Sequence, residues 1–82
     1  MKVLKFYTDT CMPCKVLTKI LDKIEDLEVE SVNALENIPM VDKYEVCTTP
    51  TLIFIKGDTE VKRTHGLVSE KEIRDILKEF KD

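Results

Sequence analysis

The sequence has no long apolar segment. The longest uninterrupted run of aliphatic and aromatic residues covers only residues 52–55, whereas a membrane-spanning helix needs about 20 such residues. The N-terminal stretch MKVLKFYTDT soon turns polar and contains no apolar core of a signal peptide. From these absences we expect a cytoplasmic protein that does not contact a membrane.

The sequence also lacks an excess of positive charge. It has 13 lysine and arginine residues against 16 acidic ones, a net charge of −3. Without a basic stripe that could neutralise a phosphate backbone, no nucleic-acid partner is expected. A hydrophobic fraction of 43% is typical of folded proteins. Because 82 residues can build only one core, we expect a single monomeric domain over residues 1–82.

Cysteine is scarce and odd in number, with three residues in the chain. This count argues against a fully paired disulfide framework. Cys11 and Cys14 are separated only by Met12 and Pro13. Structural disulfides are rare in the cytoplasm, so a close pair of cysteines there indicates chemistry.

Hydrophobic periodicity predicts an α/β protein. An apolar run at residues 3–7 predicts a buried strand, a helical period follows from Cys14, and alternation at residues 27–32 predicts a second, parallel strand. Asn33 and Glu36 can cap a helix that Pro39 interrupts, so we expect that helix to break and restart with Pro39 in its first turn. Residues 51–56 and 60–64 predict an antiparallel hairpin, and Ser69 caps a last helix. The predicted order is β-α-β, helix, β-β-α.

The cysteine pair falls where the first strand meets the first helix. Cys11 is predicted at the N-cap and Cys14 one turn inside. Unpaired backbone N–H groups and the positive end of the helix dipole stabilise an anion there, so the pKa of Cys11 should be lowered. Cys14 should be shielded from solvent. This asymmetry suits a dithiol in which one sulfur attacks a disulfide and the other resolves the intermediate.

Four stretches in register resemble the thioredoxin–glutaredoxin superfamily. They are Cys-Met-Pro-Cys at 11–14, Lys-Tyr-Glu-Val at 43–46, Thr-Pro-Thr at 49–51 and Gly-Leu-Val-Ser at 66–69. The resemblance implies the thioredoxin fold, a four-stranded mixed sheet flanked by helices. It also implies that the chain starts at the central strand and lacks the extra N-terminal strand and helix of full-length thioredoxins.

The resemblance further implies how the site works. Pro50 should follow a cis peptide bond and face the cysteines, which leaves the backbone of Thr49 free to pair with an extended substrate segment. Met12 and Pro13 should contact the same substrate. The implied partners are protein disulfides and a flavin-dependent thioredoxin reductase, and the only redox group is the Cys11–Cys14 disulfide, without a separate cofactor.

Three positions depart from the thioredoxin pattern. Thr10 and Met12 stand where thioredoxins usually carry Trp and Gly, and Lys5 stands where they carry a buried aspartate. The ammonium of Lys5 could lower the pKa of a nearby thiol. Its long side chain could instead extend to solvent, which is our expectation.

Three alternatives to a thioredoxin-type reductase remain open. A glutathione-dependent glutaredoxin is the first, although residues 64–69 lack the Gly-Gly-x-x-Asp of its glutathione site. A zinc site of Cys11, Cys14, Cys47 and His65 is the second, but a second close-spaced ligand pair is missing. A redox-inactive binding module is the third, and the presence of both cysteines argues against it. Cys47 is expected to be buried, and His65 to face solvent.

Overall fold

The computed structural model describes residues 1–25 and 27–80. The elements are β1 (Lys2–Tyr7), α1 (Met12–Asp22), β2 (Glu28–Asn33), α2 (Ile38–Tyr44), β3 (Thr51–Lys56), β4 (Thr59–His65) and α3 (Glu70–Glu79). They form a four-stranded sheet of order β2-β1-β3-β4, in which β1 is parallel to β2 and antiparallel to β3. The predicted order of elements and the mixed sheet are both confirmed.

The sheet is apolar on both faces because its two central strands are nearly continuous apolar runs. On one face, Val3 and Phe54 pack with α1 and α3 through Leu17 and Ile73, all fully buried. The opposite face is a smaller cluster with α2 beside it: Leu4, Phe6, Val32 and Ile53, with Met40, Val41 and Tyr44 partly buried against them. The first helix therefore covers the end of β1 from one side only.

The helix ends follow the local signals in the sequence. The Ser69 hydroxyl accepts a hydrogen bond of 3.1 Å from the Glu72 N–H, which confirms the predicted cap of α3. The predicted helix start at Asn33 is wrong, because residues 34–36 form only a turn, in which the Asn33 side chain accepts from the Leu35 N–H at 3.0 Å. The helix proper then begins after Asn37 with Pro39 in its first turn, as the predicted break required.

The strand boundaries differ slightly from the predicted ones. The last strand β4 extends by one residue at each end beyond the predicted 60–64, and a register shift at Phe54/Ile55 accommodates its pairing with β3. None of the described helices has both the length and the apolar character needed to cross a bilayer.

Candidate active site

Cys11 and Cys14 form a disulfide at the start of α1. Cys11 is the N-cap, with extended backbone at φ −83° and ψ 107°. Its Sγ accepts a hydrogen bond from the Cys14 N–H at 3.2 Å, and the two Cα atoms are 5.2 Å apart. The predicted placement of the pair at the helix N-terminus is thus confirmed.

The two sulfurs differ in exposure. Cys14 is only 2% exposed, whereas Cys11 is partly exposed. Between them, Met12 is 65% exposed and Pro13 is also exposed. A molecule approaching from solvent therefore meets Cys11, together with the side chains of Met12 and Pro13, before it can reach Cys14.

The peptide bond between Thr49 and Pro50 is cis, as the resemblance implied. Pro50 is buried, and its carbonyl oxygen accepts a hydrogen bond of 2.8 Å from the Gly66 N–H. Gly66 has φ +77°, a conformation that favours glycine. Within residues 1–25 and 27–80, the backbone of Thr49 makes no hydrogen bond, so its N–H and C=O are available to another chain.

An open groove connects the cysteine loop to the proline loop. Thr8, whose carbonyl accepts from the Cys11 N–H at 3.2 Å, lines the groove together with Thr49. The volume of the groove is about 320 Å³. The remaining lining residues are mostly apolar: Ala34, Leu35, Ile38, Val41, Val46, Cys47 and Thr48. The structure therefore brings two of the predicted site segments to one surface.

The apolar wall of this groove was not predicted from the sequence. Leu35 is 74% exposed and Ile38 is 53% exposed. A signal exists in the sequence, because α2 has only seven residues and carries apolar side chains on more than one face. One face of so short a helix can pack on the sheet, so the others must remain uncovered.

The side chain of Lys5 lies inside the protein, so the expectation that its ammonium reaches solvent was wrong. Lys5 is 7% exposed, and its Nζ donates a hydrogen bond of 2.7 Å to Thr18 Oγ1. Thr18 Oγ1 in turn donates to the Cys14 carbonyl at 3.0 Å. Desolvation lowers the pKa of Lys5, partly opposed by the negative charge of Asp22. Lysine cannot extend to water here because β1 is central and α1 covers this face.

Cys47 is exposed, so the expectation of a buried thiol was also wrong. It lies in the exposed loop after α2, and its Sγ is 3.7 Å from the Glu45 carbonyl oxygen. His65 is exposed at the end of β4, as predicted. Among the described residues, no three His, Cys, Asp or Glu side chains lie close enough to hold a metal ion. The hypothetical zinc ligands are therefore not assembled.

The family model and the similar proteins all point to the same family. The family model Thioredoxin matches residues 1–79. Thioredoxin of Chlamydia pneumoniae is 32% identical, over 88% of this chain and 74% of that protein. Thioredoxin of Chlamydia caviae is 37% identical, over 79% of this chain and 68% of that protein.

Solved structures agree with the family at the level of the whole fold. Thioredoxin 1 from Thermosipho africanus is 26% identical and superposes with a TM-score of 0.88, covering 98% of this chain and 93% of that one. A mutant thioredoxin from Halobacterium salinarum is 25% identical with a TM-score of 0.92, covering 99% of this chain and 74% of that one.

These matches agree with the geometry of the site. A disulfide between two closely spaced cysteines begins a helix, and a cis-proline loop lines a groove with the residue that binds the Cys11 N–H. The redox-active group belongs to the chain itself, so the family's chemistry needs no separate cofactor. The partners of this family are, in general, protein disulfides and reductases. This chain belongs to the thioredoxin family and is a thiol–disulfide oxidoreductase.

Proposed function

We propose that the protein reduces disulfides of other proteins, with Cys11 as the attacking sulfur and Cys14 as the resolving sulfur. The observation that carries this assignment is the difference in exposure: Cys11 is partly exposed at the helix N-terminus, and Cys14 is 2% exposed. In the reduced protein, the Cys14 N–H that now donates to Cys11 Sγ would stabilise a thiolate there.

The proposed cycle transfers two electrons in two exchange steps. The Cys11 thiolate attacks one sulfur of the substrate disulfide, forms a mixed disulfide, and releases the other substrate sulfur as a thiolate that takes a proton from water. Cys14 then loses its proton and attacks Cys11 Sγ. The Cys11–Cys14 disulfide forms, the bond to the substrate breaks, and the substrate leaves as a dithiol.

We propose that substrates bind as extended segments next to the cysteines. The backbone of Thr49, with Pro50 behind it, would pair with the substrate main chain, while Met12 and Pro13 contact the residues beside the substrate disulfide. The groove extends this surface, because Leu35 and Ile38 offer apolar contacts to neighbouring substrate side chains. Main-chain pairing supports recognition of several different protein partners.

A flavin-dependent thioredoxin reductase is the proposed electron donor. Residues 64–69 lack the Gly-Gly-x-x-Asp of glutaredoxins, so a glutathione-dependent cycle is the second candidate. We further propose that residues 1–82 act as one monomeric domain in the reducing cytoplasm. The exposed free thiol of Cys47 supports a reducing compartment, because an accessible thiol persists there without oxidation.

A turbidity assay of insulin reduction with dithiothreitol as donor tests the function. The protein should accelerate precipitation of the released insulin chains, and Cys11→Ser should lose the acceleration entirely. Lys19→Ser, which also places a serine at an exposed position of the first helix but in its last turn, away from the cysteines, is the control and should keep the full rate. A wild-type rate equal to that of dithiothreitol alone would overturn the proposed function.

A further inference from the structure

Lys5 is the one charged side chain that is buried among the described residues. It lies on the central strand β1 and is only 7% exposed. It makes no ion pair with any carboxylate in the described part of the chain. Burial of a charge without an ionic partner is costly. We therefore looked for a group that becomes negatively charged near Lys5 when the protein is reduced.

Hydrogen bonds connect the ammonium of Lys5 to the backbone of Cys14. Its Nζ binds Thr18 Oγ1 at 2.7 Å, and Thr18 Oγ1 binds the carbonyl oxygen of Cys14 at 3.0 Å. Lys5, Thr18 and Cys14 line one cavity of about 280 Å³ beneath the start of α1. The hydrogen bonds thus hold the ammonium on the wall of the cavity that the shielded cysteine also lines.

We propose that Lys5 is the electrostatic partner of Cys14, whose thiolate it stabilises in the reduced protein. The inference rests on the resolving role proposed above for Cys14. That cysteine must give up its proton to water before its sulfur attacks Cys11 Sγ and releases the substrate thiolate. Because Cys14 is only 2% exposed, water screens its charge weakly, and a nearby positive charge favours the anion.

The electrostatic environment of Lys5 should therefore differ between the oxidised and the reduced protein. In the oxidised state Cys14 belongs to an uncharged disulfide, so the ammonium has no ionic partner among the described residues. Once Cys14 ionises, the two buried charges compensate each other. Lys5 should therefore make Cys14 more acidic, and Cys14 should in turn hold the proton on Lys5, since coupling between two sites is reciprocal.

The other titratable groups around Lys5 are all more exposed than Cys14. The Tyr7 ring centroid lies 5.5 Å from Nζ, and the Tyr7 side chain is partly exposed. Asp9 and Lys15 line the same cavity but are exposed, and the exposed Asp22 acts on Lys5 from α1. Water screens exposed charges far more than buried ones, so Cys14 is the group to which Lys5 should couple most strongly.

Titration of Cys14 in the Cys11→Ser protein tests the proposal directly. Every protein compared also carries Cys47→Ser, because the free thiol of Cys47 would otherwise absorb in the same range. The ultraviolet absorbance of the remaining thiolate then gives the pKa of Cys14, and Lys5→Met should raise that pKa by about one unit. Lys5→Arg should restore most of the shift because it keeps the charge. Lys15→Met, which removes an exposed charge from the same cavity, should have a much smaller effect. An unchanged pKa in Lys5→Met, or an equal change in Lys15→Met, would overturn the proposal.

A second measurement leaves Lys5 in place and so does not depend on whether its variants fold. The pKa of Lys5 can be followed by the NMR shift of its Cε carbon in oxidised wild type and in Cys11→Ser. We expect a higher pKa in Cys11→Ser, where the Cys14 thiolate is present, and equal values would refute the coupling. Neither titration uses a substrate, so failure of the coupling and failure of disulfide reduction are separate results.

Discussion

The backbone N–H of Cys14 points at the sulfur of Cys11, 3.2 Å away. Cys11 is the N-cap of α1, so this hydrogen bond is the same one that a serine or threonine hydroxyl accepts at other helix starts. In the dithiol form the capping atom is also the nucleophile. The hydrogen bond that caps the start of α1 thereby favours the charged, reactive state of the sulfur.

The division of roles between the cysteines predicts a trapping variant. Cys14→Ser should still attack substrate disulfides through Cys11 but cannot resolve the mixed disulfide, because its hydroxyl is not ionised at neutral pH. Partner proteins should accumulate as covalent adducts on non-reducing gels and disappear after dithiothreitol treatment. Cys11→Ser is the matched control. Adducts that form with Cys11→Ser and not with Cys14→Ser would reverse the assignment.

The apolar wall of the groove predicts an effect on substrate binding. Leu35→Ser and Ile38→Ser should each raise KM for a protein disulfide by about three- to tenfold, the loss of roughly 1 kcal/mol of apolar contact. Val16→Ser is the control, since Val16 is also exposed, at 44%, but does not line the groove. Rates with a small disulfide that cannot reach the groove should be unchanged in all three. An equal KM for all three variants would contradict groove binding.

The absent glutathione signature predicts the preferred electron donor. Oxidised protein should be reduced slowly by millimolar glutathione coupled to glutathione reductase. It should be reduced rapidly by NADPH with a flavin-dependent thioredoxin reductase. Consumption of NADPH reports both reactions, and a catalytic glutaredoxin serves as the positive control for the first. Rapid turnover with glutathione would favour the glutaredoxin alternative.

The parts of this structure that sequence could predict are those set by neighbouring residues. The cap at Ser69, the break before Pro39 and the helix start at Cys11 each depend on a few consecutive side chains, and all three are confirmed. Strand β3 was also predicted with its observed bounds, because its composition is strongly β-forming.

The wrong expectations for Cys47 and Lys5 concern burial, which depends on packing between residues that are far apart in the sequence. Cysteine is usually buried, but Cys47 lies in the exposed loop after α2. A strand lysine often extends to water, but Lys5 lies on a central strand under α1, where Thr18 holds its ammonium inside. The exposure of Leu35 and Ile38 depends equally on how α2 packs; the sequence indicates only that so short a helix leaves some apolar side chains uncovered.

The lowered pKa of Lys5 predicts how the oxidised protein responds to pH. The unfolded chain holds the lysine proton up to its ordinary pKa of 10.5, while the folded protein loses it earlier. Stability should therefore rise as pH increases through the window that ends near 10.5. Lys5→Met removes the buried charge, so it should be more stable than wild type at neutral pH, and the difference should shrink as that window is crossed.

Urea unfolding of both oxidised proteins, at neutral pH and again near pH 10.5, measures this difference. Lys19→Met, which removes an exposed lysine of α1, controls for the change in net charge. A stability difference that stays constant with pH would show that the ammonium of Lys5 carries no penalty of burial.

The cap of α3 predicts a simple loss of stability. Ser69→Ala removes the hydroxyl that accepts from the Glu72 N–H and should lower the free energy of unfolding by about 1 kcal/mol. Ser69→Asp keeps an acceptor at that position and should retain most of the stability. Chemical unfolding of the three proteins measures both effects, and equal loss in the two variants would contradict the capping role.

The short helix α2 should give the binding surface its adaptability. None of its seven residues, all of them described, is fully buried, and only Met40, Val41 and Tyr44 pack partly buried against the sheet, so less apolar contact holds α2 than holds the other two helices. Its amides should exchange with deuterium well before those of the central strands. Because this helix supplies Ile38 and Val41 to the groove, one wall of the groove can reshape around partners of different side-chain size. The cysteines, held by α1, would meanwhile keep their geometry.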